Sequence, residues 1–296
     1  QEDTSFGQLI HELTGDAIQQ EIPGLKEVHA VDAAGVHPLL LAVGSERYTP
    51  YLPTKQPAEL LTIANHVLGT GQLSLAKFLF ISADDQHQLH AHDVEQFLTY
   101  VWERIDLQRD LHFHTNTTID TLDYSGTGLN SGSKLVLAAY GEAKRNLCTE
   151  VPTVLRELRN FVNPHICMPG VIALQTAPFT TYEAAANELQ QLDEQCKHLL
   201  QQLEGVVQLI VCDDADFTAA SLKNYLWISY TRVNPSHDVY GIAPSIVYKH
   251  WGCNGPVVFD ARLKPHHAPP VEKDPAVEKK IDRLFAKGGS LYNVLK

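Results

Sequence analysis

The sequence predicts an α/β protein: two tandem, similar three-layer α/β domains with mixed, mostly parallel sheets. Three observations lead there. One stretch occurs twice, first as Ala76–Asp85 (AKFLFISADD) with His92–Asp110, then as Val206–Asp214 (VVQLIVCDD) with Ser221–Asp238. Each copy is an apolar run closed by two aspartates, then a helical pattern ending near an arginine, then a short extended run, DLHFHTN or DVYGIAP. The spacing also repeats: Asp213 follows Asp84 by 129 residues, and Arg232 follows Arg104 by 128. Finally, Phe78–Ile81 is four apolar residues in a row, which suits a strand buried on both faces, as in a parallel sheet. Alternating strand and helix patterns then imply layers joined by right-handed crossovers.

In chain order, residues 1–8 read as the polar end of a linker and Leu9–Gln20 as a short helix, broken by Pro23-Gly24. Val28–Val31 and Pro38–Val43 flank an Ala34-Gly35 turn and are predicted strands. Pro57 opens a helix whose apolar residues Leu60, Ala64, Val67 and Leu68 keep a three-to-four spacing up to Gly69. After the first core strand, Asp93 starts a helix with Val94, Phe97, Leu98, Val101, Trp102 and Ile105 on its buried stripe. Leu111–His114 and Lys134–Ala138 follow as strands, separated by a Thr/Gly/Ser/Asn-rich loop, Thr115–Gly132.

The second pass is predicted to open with a helix over Glu150–Val162 and a strand over Val171–Leu174. Residues 183–204 carry Leu189, Leu192, Cys196, Leu199, Leu200 and Leu203 on one helical face, with Gly205 as the stop. Leu209–Cys212, Leu222–Val233 and Val257–Phe259 then answer the strand, helix and strand of the first pass. Asp274 caps a last helix with Val277, Ile281, Leu284 and Phe285 expected inside, and SLYNVLK is an apolar tail of the kind that docks on a partner. The expected division is 1–146, 147–270 and 271–296.

Composition narrows the function. The 296 residues suffice for two ordinary domains. A formal net charge of −12 argues against a nucleic-acid footprint. No apolar run approaches the roughly 20 residues of a membrane helix, and no signal peptide opens the sequence. The five scattered cysteines form no CxxC pair and suggest reduced thiols in a cytoplasmic protein. The sequence starts at Gln1 and its one methionine is Met168, so a piece of a longer polypeptide is expected.

Specific residues resemble the C-terminal part of the UbiD-type (3-polyprenyl-4-hydroxybenzoate) decarboxylases. That family carries an apolar strand ending in acidic residues, a helix with "LWA..TR", and "dp.RD". Leu226–Arg232 (LWISYTR) with Asp238 is similar, and the first copy keeps Trp102, Arg104 and Arg109-Asp110. Asn116–Gly126 (NTTIDTLDYSG) resembles the family's "NTPIDYLDF", and Gly132–Lys134 its "GSK". The family's "DAT" looks like Asp260-Ala261-Arg262, but the first copy departs to Ala138-Ala139-Tyr140. Val271–Phe285 resembles the family's last helix.

The resemblance implies a non-oxidative carboxy-lyase acting on an aromatic or α,β-unsaturated acid. It implies prenylated FMN, a divalent metal and a monovalent cation, all held by an N-terminal catalytic domain of the same polypeptide. It implies oligomerisation and active-site closure as the role of this region, within a homo-oligomer. No catalytic or cofactor-binding residue is assigned in this stretch. Glu183 and Glu188 reproduce the family's Glu-x4-Glu spacing, but they sit in an amphipathic helix in unlike surroundings and are rejected. Two other readings stand beside this one: a non-catalytic assembly module, and a metal- or small-ligand-binding α/β domain.

Among candidate site residues, Ile119, Thr121, Leu122, Asp123 and Tyr124 lead, because by resemblance their loop faces the active-site mouth. There they would shape a pocket and exclude water on closure. Asp84, Asp85, Asp213 and Asp214 end core strands, where α/β sheets bind ligands and carboxylates hold hard cations. The competing reading, that they turn the chain and cap the next helix, is preferred. His87, His90 and His92 crowd one loop and His112 and His114 alternate on a strand; imidazoles can ligate zinc, but no cysteine spacing accompanies them, and a solvated histidine-rich loop is the preferred reading. Arg104 and Arg232 suit structural ion pairs at helix ends.

Overall fold

A computed structural model describes residues 2–49, 51–83, 88–269 and 274–294. The first half runs α1 (Glu2–Glu21), β1 (Glu27–Ala30), β2 (Leu39–Val43), α2 (Glu59–Leu68), β3 (Phe78–Ser82), α3 (Val94–Arg104), β4 (Leu111–Thr117) and β5 (Gly132–Ala139). The second half runs α4 (Thr153–Arg156), β6 (Val162–Met168), β7 (Val171–Gln175), α5 (Tyr182–Cys196), β8 (Gln208–Cys212), α6 (Ala215–Ala219), α7 (Leu222–Arg232) and α8 (Pro235–Asp238). It continues with β9 (Val239–Gly241), β10 (Pro244–Val247), β11 (His250–Cys253) and β12 (Val257–Asp260). A last helix, α9, covers Pro275–Phe285. Gln1–His266 form one compact unit and His267–Lys296 a second.

The two large sheets share one plan. Their orders are β1-β2-β3-β5-β4 and β6-β7-β8-β12-β9. In each, the two central pairings are parallel and the two outer ones antiparallel. Both sheets are thus mixed, with helices packed on them, as the sequence leads one to expect. The halves differ in what precedes the last central strand. The first uses the loop 118–131, and the second the hairpin β10–β11.

Strand periodicity sorts side chains between cores. Leu39, Leu41, Phe78 and Phe80 enter a central core with Phe97, Val101 and Trp102 of α3. Tyr225, Leu226 and Tyr230 of α7 and Phe259 of β12 complete that core, so it is shared by both sheets. Phe80 meets Trp102 edge-on at 5.3 Å, and Phe78 meets Tyr230 at 5.1 Å. Leu40, Ala42, Leu79 and Ile81 face the other way, onto Leu60, Ile63 and Val67 of α2. Ile172, Leu174, Leu209 and Val211 do the same in the second half, against Leu189, Leu192 and Cys196 of α5.

Four local expectations are corrected. The segment 150–162 holds only the single turn α4 before strand β6, because Asn160 and Asn163 take positive φ (+68° and +53°) and Pro164 breaks helical pairing. Residues 2–8 are helical rather than a linker, since α1 begins at Glu2. Helix α5 stops at Cys196, and Leu200–Leu203 form a separate 3₁₀ turn. In α9, Asp274 does accept the Ala276 N–H, at 2.8 Å. But Val277, Ile281 and Leu284 are exposed, not inside.

Candidate functional site

The two halves are tied together where the start of β3 comes beside the segment that follows β12. Lys77, one residue ahead of β3, has a side chain only 1% exposed. Its ammonium donates to Asp123 at 2.8 Å and to Ser125 Oγ at 2.6 Å. Burial lowers its pKa against the pull of Asp123, and the charges of Asp238 and Lys264 also reach it. A buried ammonium is stable only when paired in this way. Lys264 lies 3.3 Å from Asp238, with both side chains inaccessible to solvent, and also donates to the Asp260 carbonyl at 2.9 Å. Burial pushes the Asp238 carboxyl up to about 6, opposed by Lys264 and by the Asn234 N–H.

A hydroxyl completes the joint. Ser133 Oγ donates to the Asn234 side-chain oxygen and accepts the Ser236 N–H at 2.8 Å. Lys134 is also buried; it donates to the carbonyls of Ser74 and Ala76 at 2.6 and 2.8 Å, and burial lowers its pKa to about 8. One layer away, the Arg262 fork grips both oxygens of Asp260 at 2.8 and 2.7 Å and reaches Glu188 at 2.6 Å.

From this joint springs the loop 118–131. His37 bonds to Asp120, whose other oxygen accepts the Leu122 N–H at 2.8 Å. The His37 contact holds the Asp120 carboxyl below the ordinary range. Asn130, at φ +53°, donates to the Ile119 carbonyl and to Thr121 Oγ1. Gly126 is required: a Cβ there would stand 2.2 Å from the Ser131 carbonyl oxygen. The loop is therefore pinned from beneath, while Leu122, Tyr124 and Leu129 stand out in solvent at 56%, 56% and 80% exposure. Across from it Tyr182 stacks near His237 and His266, at 5.4 and 6.4 Å between rings. Burial and the carboxylates of Asp238 and Asp260 raise the Tyr182 pKa.

At this joint Lys77 is paired with Asp123 and Lys264 with Asp238, while Lys134 is held by backbone carbonyls. The sequence profile of the 3-octaprenyl-4-hydroxybenzoate carboxy-lyase C-terminal domain matches residues 4–139. Residues 4–139 thus form a region of the UbiD C-terminal type. A 4-hydroxybenzoate decarboxylase component from Chlamydia pneumoniae is 32% identical over 290 residues, covering 96% of this chain and 45% of that protein. An uncharacterized protein of Chlamydia caviae is 29% identical over 285 residues, with the same two coverages. The chain therefore spans about half the length of the curated relatives it matches, and those alignments run through both sheets. A UbiD-class enzyme of Pelotomaculum thermopropionicum, solved with FMN, aligns at TM-score 0.35 and 16% identity over 49% of this chain and 30% of its own. The vanillic acid decarboxylase of Sedimentibacter hydroxybenzoicus aligns at TM-score 0.35 and 15% identity, over 60% and 30%.

Within this UbiD-type region the expected loop residues divide in two. Ile119 is buried, packed over Gly126 and Gly132, and the Asp123 side chain is buried against Lys77. Thr121, Leu122 and Tyr124 face solvent. Asp213 pairs with Arg232 at 3.0 Å and accepts the Leu263 N–H, while Asp214 caps α6 through the Phe217 N–H at 2.9 Å. Asp84, Asp85 and His87 lie outside the described residues. Arg104 covers the Tyr100 ring at 3.6 Å and bonds the Gly141 carbonyl. His112 stacks 5.2 Å from His250, and burial lowers its pKa to about 4. The Lys77–Asp123 and Lys264–Asp238 pairs have no sequence signal beyond lysines placed beside core strands.

Proposed function

We propose that this chain is the C-terminal, active-site-closing part of a UbiD-like non-oxidative carboxy-lyase acting on an aromatic or α,β-unsaturated acid. The observation that carries the reading is the loop 118–131. It is held from within by Asp123–Lys77 and Ile119, and it offers Leu122, Tyr124 and Leu129 outward. An apolar tip on a braced stem is what a water-excluding closure needs: the stem fixes position and the tip removes water from a neighbouring pocket. The catalytic groups and the prenylated FMN belong, in this reading, to a preceding domain of the same polypeptide. The paired charges at the joint do not fit a flavin phosphate, since Lys77 and Lys264 are engaged by Asp123 and Asp238. What this chain's residues do is bind, orient and exclude water.

The test uses the full-length protein with its cofactor. Leu122→Ser with Tyr124→Ser is expected to lower kcat/KM for decarboxylation on the order of 10- to 100-fold, as misplaced closure does. The melting temperature should hold, because both side chains are exposed. Unchanged kcat/KM would refute the closing role.

A second role, assembly, is favoured by one observation. Val277, Ile281 and Leu284 recur at helical spacing on α9 and are 42–46% exposed. Ile281→Glu should lower the molar mass seen by light scattering if that stripe joins protomers. An unchanged mass excludes it.

A further inference from the structure

We infer that Glu12, His29 and His92 form a binding site for a zinc-type divalent ion, oriented by Glu27. The three residues come from α1, β1 and the segment before α3, and one ligand atom from each lies within 4.8 Å of the others. Four-coordinate zinc with bonds near 2.0–2.1 Å sets its ligands about 3.3 Å apart, so small rotamer changes close the set. Two imidazoles and one carboxylate are the ligand types that zinc takes from proteins, and three such ligands leave one position for water or a ligand.

The surroundings supply an orienting partner for His92. His92 Nδ1 meets Glu27 Oε1 at 2.8 Å, while its Nε2 points to Glu12 at 3.2 Å. A carboxylate on the far nitrogen of a ligating imidazole fixes the tautomer and aims the other lone pair at the metal. Glu27 is itself steadied by His90, 3.5 Å from its second oxygen. The His29 ring lies 4.3 Å from the His92 ring, so the two imidazoles stand side by side at the site. A bound ion would clasp the amino-terminal helix to the edge strand β1. This site stands apart from the loop 118–131 and does not depend on the function proposed for it.

The experiment is calorimetry with zinc chloride on the tag-free, chelator-stripped chain, with Co2+ absorption as a report on geometry. Wild type should take up one ion per chain, and Co2+ should give the visible bands of a four-coordinate site. Glu27→Gln should weaken zinc by about 10- to 100-fold, as loss of an orienting carboxylate does. His92→Ala and Glu12→Ala should abolish the uptake. Glu12 is exposed on a helix, so its removal leaves folding intact. The absence of saturable uptake by wild type would overturn the site, as would undiminished uptake by Glu12→Ala and His92→Ala.

Discussion

The two sheets share strand order and pairing but differ in what they bury at matching positions. Register aligns Ile81 with Ala138 in the first sheet and Val211 with Asp260 in the second. Hence Ala138 and Tyr140 of one half correspond to Asp260 and Arg262 of the other. The first half fills that place with apolar side chains, and the second with an ion pair whose side chains are each 1% exposed. A similar exchange occurs at the helix ends. Asp110 and Asp238 are both buried and each accepts the N–H of the residue four earlier, Asp106 or Asn234. Their cations come from different places: Arg109, the preceding residue, serves Asp110, and Lys264, from beyond the last strand, serves Asp238. One architecture thus tolerates either chemistry, provided that each buried charge keeps a partner.

The largest test of that comparison is to break the ion pair and then replace it. Arg262→Met strands Asp260 in the interior and should cost about 3–5 kcal/mol, measured by urea unfolding. Asp260→Ala combined with Arg262→Tyr gives the second sheet the residues that the first already uses. It should recover at least about 2 kcal/mol of that loss, since a buried pair is replaceable by well-packed apolar groups. Glu188, left without Arg262, still reaches solvent with a third of its side chain. Equal losses in the single and double variants would show that the second sheet cannot adopt the apolar solution.

A smaller effect separates the helix-end aspartates by pH. Burial raises the Asp238 pKa from 3.8 to about 6, and it raises that of Asp110 as well. A carboxyl raised on folding binds its proton more tightly in the folded state. Its contribution to stability is therefore fully present below the unfolded pKa and lost as pH rises through the folded one. For Asp238 the window is pH 3.8 to about 6. The stability of Asp238→Asn relative to wild type should improve across that window, on the order of 2 kcal/mol, in denaturant titrations from about pH 4 to 7. A difference that stays flat would mean that Lys264 holds Asp238 ionised throughout.

Much of this doubling is legible in the sequence because it rests on local patterns. Unbroken apolar strands, helix stripes and the 128-residue offset of Arg104 and Arg232 are one-dimensional signals. The aspartate and asparagine that bond to the buried acids keep the same offset, at 106 and 234. The segment 150–162 misleads because Val154, Leu155, Leu158 and Phe161 fit a helical face, while asparagines in left-handed backbone decide for a strand. The joint itself is not legible. Lys77 and Asp123 are 46 residues apart, Ser133 and Asn234 are 101 apart, and only packing brings them together. Glu12, His29 and His92 escape for the same reason. Two of the three lie outside the histidine-rich loop that attracts attention, and none follows a ligand spacing.

The finest probe of equivalence is the helix start, where the halves again use different residues for one task. Asp93 accepts the Gln96 N–H at 3.3 Å to cap α3, and Ser221, 128 residues later, accepts the Asn224 N–H at 3.1 Å to cap α7. Each satisfies a donor that the helix leaves without an internal partner. Both helices pack the shared core, so fraying of either should be felt equally. Asp93→Ala and Ser221→Ala should each cost about 1 kcal/mol. Asp93 carries in addition a charge favourable to the helix dipole, which salt screens and a serine lacks. High salt should therefore narrow the Asp93→Ala loss and leave the Ser221→Ala loss alone. A salt-independent loss at Asp93 would show that its role, like that of Ser221, is the hydrogen bond and nothing more.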